Sequence, residues 1–96
     1  VAERQVDVIS AYTTDGRVAA YDLLLLDDPR NALLAYDAMI LASGNAAAQP
    51  EFMQVLDSLV DSIPDEAMRQ ANRLVDVDGE SITVALEYLR GEMAKN

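Results

Sequence analysis

The sequence predicts an α/β fold in which short strands come first and three helices follow. Three observations carry that prediction. Short apolar runs separated by turn chemistry fill the chain as far as Leu41. From Pro50 onward the apolar spacing changes to a helical period. Hydrophobic residues make up 51% and charged residues 25%, a balance that suits a packed domain and not a disordered one.

The first element is a short strand over residues 5–9, where Val6, Val8 and Ile9 carry the β-branched signal. Thr13, Thr14, Asp15 and Gly16 are turn residues. The run 21–26 holds four consecutive leucines and closes on Asp27-Asp28-Pro29, as expected of a strand buried on both faces. Pro29 cannot continue a central strand and marks a loop. A third strand is expected over 36–41, stopped by Ser43-Gly44-Asn45.

Phe52, Val55, Leu56, Leu59, Val60 and Ile63 then fall at helical spacing, with Pro50 in the first turn. Pro64 ends that helix and opens the next, where Asp65 and Glu66 complement the helix dipole. Its apolar stripe is Ala67, Met68, Ala71, Leu74 and Val75. After the Asp78-Gly79 turn, Ser81 is the expected N-cap of a last helix with the stripe Ile82, Ala85, Leu86, Leu89 and Met93.

One domain is the ceiling for 96 residues. The first residue is Val and no secretory signal is visible, so the sequence reads as a processed or excised piece. Three strands and three helices leave open sheet edges, and the leucine run at 23–26 requires neighbours on both sides. The expected completion is the remainder of a larger protein or a second chain.

Net charge is −10, from 17 acidic and 7 basic residues. Phosphate recognition needs a basic face, so nucleic acid is not an expected partner, nor are anionic membrane surfaces. No run of apolar residues is long enough to span a bilayer, so no membrane insertion by this segment is expected. Histidine and cysteine are both absent, which removes the commonest general base, the strongest nucleophile and the ligands of soft metals. Asp76-Val77-Asp78-Gly79-Glu80 has the look of a calcium loop but lacks the third acidic position and the distal glutamate. No glycine-rich phosphate loop is present. Neither a cofactor, a metal nor catalysis is expected.

The chemistry that remains is aromatic. Tyr12 precedes the Thr-Thr-Asp-Gly turn, and Tyr36 opens the third apolar run. Two rings brought to neighbouring strand ends make walls of a box, and electron-rich ring faces attract a quaternary ammonium. The bland alternative is a pair of buried tyrosines with bonded hydroxyls. Thr13 invites the reading of a plain turn residue. Arg17 either pairs with Asp15 or another acid, holding the segment in place, or clamps a ligand carboxylate. Tyr21 and Tyr88 read as packing or surface residues. Asp27 and Asp28, being adjacent, are poorly placed for paired acid–base work.

The stretch Val6-Asp7-Val8-Ile9-Ser10-Ala11-Tyr12-Thr13-Thr14-Asp15-Gly16-Arg17 resembles the C-terminal part of substrate-binding proteins of ABC transporters for glycine betaine, choline, carnitine and proline betaine. The resemblance continues through Ala20-Tyr21-Asp22-Leu23, Asp27-Asp28 and Tyr36-Asp37-Ala38. It runs on through Asp65-Glu66-Ala67-Met68-Arg69 to Asn72, Val75 and Asp76. It implies a two-lobed periplasmic-binding-protein fold of type II, whose lobes close over a ligand held by four aromatic side chains. Tyr12, beside the hinge, and Tyr36, at the head of a strand, match two of these; Thr13 and Arg17 are secondary candidates. Residues 1–18 would then form the hinge strand and crossover segment, and 19–96 the C-terminal part of one lobe. The implied partners are a small osmolyte and an ABC permease, and the implied location is extracytoplasmic. The family usually carries Phe-Pro-Pro before the second tyrosine; Leu33-Leu34-Ala35 stands here, which loosens the approach to Tyr36. The alternative function is a small acidic α/β interaction module without a small-molecule ligand.

Overall fold

The computed structural model describes residues 3–95, and its regular structure there is entirely helical. In chain order the helices are α1 (Gly16–Ala20), α2 (Gly44–Ala47), α3 (Pro50–Asp57), α4 (Asp65–Asp76) and α5 (Ile82–Met93). The chain divides into two compact units, one made of Val1–Leu25 with Ile63–Asn96 and the other of Leu26–Ser62.

In the first unit α4 packs against both α1 and α5. Its core is built from small residues: Ala67 and Ala71 of α4 meet Ala85 and Leu89 of α5, with Met68, Val75 and Tyr88 against them. Small side chains at helical spacing let two helix backbones approach closely. Pro64 is the N-cap of α4, and Asp65 and Glu66 occupy its first turn. The Ser81 hydroxyl caps α5 by accepting the Val84 N–H. Gly79 turns the chain between α4 and α5 at a φ of 74°, a left-handed value natural to glycine.

The second unit contains α2 and α3, which pack on one another. Met53, Leu56 and Ala46 are half-buried, and none of the described residues in this unit is fully buried. The apolar stripe from Phe52 to Ile63 predicts a longer helix than forms, since α3 stops at Asp57. The reason is local: the Ser58 hydroxyl donates to the Val55 carbonyl at 2.6 Å and the Ser62 hydroxyl to the Leu59 carbonyl at 2.7 Å. Those bonds compete with the helical ladder. Asp61 then takes a φ of 55°.

The three expected strands are a correction. Residues 5–9, 21–26 and 36–41 form no ladder among the described residues, so the order of short strands followed by three helices gives way to five helices. A strand exists only through its neighbour, and an apolar run records burial without supplying the partner that bonds it. At the head of the second run a different device wins. The Leu23 N–H donates to the Val18 carbonyl at 3.0 Å, and Asp22 adopts a φ of 50°. That is a Schellman closure of α1, which uses the first residues of the expected strand as a helix terminus.

Candidate functional site

The candidates Tyr12, Thr13 and Arg17 lie together where the 12–15 turn meets α4. The Asp15 N–H donates to the Tyr12 carbonyl at 3.1 Å, which closes the turn. The Asp15 carboxylate accepts the Arg17 backbone N–H at 2.9 Å and so caps α1. The same carboxylate takes a fork from the Arg17 guanidinium, Nε at 2.9 Å and Nη2 at 2.7 Å. Bidentate pairing of this kind is the strong form of a charged hydrogen bond. It holds the Asp15 carboxyl below its ordinary range, first through the Arg17 side chain and then through its N–H. It also commits the best donor edge of Arg17 to an internal partner.

Gly16 lies against the backbone of α4. A Cβ there would sit 2.6 Å from the Asn72 carbonyl carbon, 2.7 Å from the Arg73 Cα and closer still to the Arg73 nitrogen. Two side chains of α4 reach back over the same contact. Arg69 Nη1 donates to the Thr13 carbonyl at 2.8 Å, and Asn72 Nδ2 donates to the Thr14 carbonyl at 2.7 Å. The Arg69 guanidinium is oriented in turn by Glu66 at 2.5 Å, and that bond lowers the Glu66 carboxyl below its ordinary range.

Tyr12, at the start of this turn, is 62% exposed. It lines a concavity of about 500 Å³ together with Ile9, Ser10, Ala11, Asp15, Arg17, Val18, Tyr21 and Leu23. The structure therefore gathers Tyr12, Thr13 and Arg17 at one turn, and sets Tyr21 beside Tyr12 on the wall of the same hollow. The hold that Arg69 and Asn72 have on this turn was not read from the sequence. They lie 56 and 58 residues from their partners, so no local pattern pointed to them.

Tyr36 belongs to the unit Leu26–Ser62 and is 82% exposed. Its approach is organised by Asp28, whose carboxylate accepts the N–H of Ala32 at 3.0 Å and of Leu33 at 2.8 Å. Those donors lower the Asp28 carboxyl below its ordinary range, with the Leu33 N–H the larger cause. Asn31, at a φ of 48°, turns the chain inside this loop. A carboxylate thus ties residues 28–33 ahead of Tyr36. Neither Tyr12 nor Tyr36 is a core tyrosine. Among the described residues no three carboxylates converge on a metal-sized hole, and no helix is long and apolar enough to cross a membrane.

The family described as the substrate-binding domain of ABC-type glycine betaine transport systems matches residues 1–91. The chain belongs to this family. Membership implies the two-lobed type II periplasmic-binding fold, and places the chain among substrate-binding domains, which are not enzymes. Two Listeria monocytogenes sequences named carnitine transport binding protein OpuCC are each 36% identical over 90 residues, which is 90% of this chain and 29% of theirs. A glycine-betaine-binding protein of Pseudomonas aeruginosa is 30% identical over 89 residues, 91% of this chain and 29% of its own length. The chain thus spans about 29% of these relatives. No solved structure matches it.

Proposed function

We propose that this chain is a segment of the solute-binding component of an ABC importer, and that it helps capture a quaternary-ammonium osmolyte such as glycine betaine, choline or carnitine. Tyr12 and Tyr36 supply two ring faces of an aromatic cage. The observation that carries the reading is the exposure of both rings, at 62% and 82%, each beside a tied turn and outside the helical core. Family membership and the names of the relatives support this ligand class.

The mechanism is capture without chemistry. A methylated ammonium donates no hydrogen bonds and is weakly hydrated, so ring faces replace its water at little cost. Thr13 and Arg17 stand next to Tyr12 as secondary contacts. Since Arg17 already grips Asp15, its role is to stiffen the turn more than to clamp a carboxylate. In this reading residues 1–18 carry the hinge strand and crossover, and 19–96 the C-terminal part of one lobe. The remainder of the receptor, or a second chain, pairs with the apolar runs. The ABC permease receives the closed form on the outer side of the membrane.

Calorimetric titration of glycine betaine, choline and carnitine into the full-length chain that carries these residues tests the proposal. A ring facing a desolvated cation is worth about 2 kcal/mol. Tyr12→Ala and Tyr36→Ala should therefore each weaken binding about thirtyfold. Unchanged affinity in both folded variants, or no heat with any of the three solutes, favours the interaction-module alternative.

A further inference from the structure

Every carbonyl from residue 12 to residue 15 is engaged. The Tyr12 carbonyl accepts from the Asp15 N–H at 3.1 Å, and the Asp15 carbonyl from the Val18 N–H at 3.0 Å. Between them, the Thr13 and Thr14 carbonyls are taken by Arg69 and Asn72 at 2.8 and 2.7 Å. Arg69 and Asn72 are three apart on α4, so they share one face of that helix. The Arg69 side chain is only 14% exposed, and Glu66 fixes its fork from the far side. A planar guanidinium spanning a carboxylate and a carbonyl keeps fewer conformations than an ammonium would. At Gly16 the backbones of α1 and α4 already touch, so the turn cannot move closer to α4. The two donors stop it from moving away.

We propose that Arg69 and Asn72 are positioning residues for solute capture: they lock the turn that presents Tyr12 to the quaternary ammonium. This inference rests on the reading that Tyr12 contacts the solute. Neither residue needs to touch the ligand. Attraction between a cation and a ring depends on the ring's placement, and displacement by about an ångström is enough to lose much of a positioned interaction.

The test uses the full-length chain that carries these residues. Glycine betaine, choline and carnitine are titrated into the parent, Arg69→Ala, Arg69→Lys, Asn72→Ala and Tyr12→Leu, with urea unfolding followed in parallel. Arg69→Ala and Asn72→Ala should each raise Kd about tenfold, the scale of one hydrogen bond to a carbonyl. Arg69→Lys, which keeps a cation and a donor, should recover part of the loss. In the Tyr12→Leu background, adding Asn72→Ala should change Kd by less than about twofold, because the locked turn no longer carries a ring. Unchanged affinity in folded Arg69→Ala and Asn72→Ala, or an equal loss in both backgrounds, overturns the positioning role while leaving the cage in place. Parent-like binding by Tyr12→Leu, or no binding by the parent, overturns the cage and this inference with it. Should Asn72→Ala fail to fold, Arg69→Lys and Asn72→Ser carry the same comparison.

Discussion

Gly16 makes the sharpest single-residue prediction. A methyl group there meets backbone atoms of Asn72 and Arg73 at 2.6–2.7 Å, and backbone cannot rotate aside. Alanine favours a helix over glycine by about 1 kcal/mol, but overpacking against a fixed neighbour costs more. Gly16→Ala should lower unfolding stability by about 3 kcal/mol, read from the urea midpoint. Asp15 makes a pH prediction. Its carboxyl is depressed below the ordinary 3.8 by Arg17, so the bond stabilises the fold fully above that value and is lost as pH falls through the lower folded one. Asp15→Asn keeps a capping side chain and removes the charge. Parent and variant should differ in midpoint at pH 7 and converge as the pH falls below the ordinary 3.8; a constant gap would refute the role. The turn chemistry and the Asp15–Arg17 pair were legible in the sequence because both partners lie within two residues. The close approach at Gly16 was not, since it depends on a helix more than fifty residues away.

At the scale of elements, α4 and α5 could be read because their start signals, Pro64 with two acids and Ser81, agree with the apolar stripes behind them. The short helices α1 and α2 went unread, although Asp15 and Ser43 prove to be their N-caps. A helix of five or four residues has no stripe to display, so capping alone must announce it. The expected strands failed for the complementary reason: their hydrophobic pattern is real, but pairing is a property of two segments. Gly91, inside α5, offers a contrast to Gly16. Nothing lies within 4 Å of a Cβ built there, so only helix propensity counts. Gly91→Ala should raise stability by about 0.5–1 kcal/mol, measured by thermal or urea unfolding.

Taken whole, the chain displays an unusual amount of apolar side chain. Val8, Leu24, Leu26, Leu34, Met39 and Leu41 are each at least 70% exposed, and Leu34 reaches 94%. Several of these fall in the runs whose pattern reads as strands in the sequence. In each unit, apolar side chains exposed to that extent mark surface to be covered. The 96 residues expressed alone should bind the dye ANS strongly, and the full-length chain carrying them should bind it weakly. Weak dye binding by the excised segment would mean that these side chains find cover among themselves.

The clasp on the turn grips main-chain oxygens, so it is blind to which side chains stand at positions 13 and 14. Randomising those two positions would leave Arg69 and Asn72 holding what they hold now. On the proposed reading of Tyr12 as a solute contact, positions 13 and 14 are the two places beside it where side chains can be exchanged without loosening the turn.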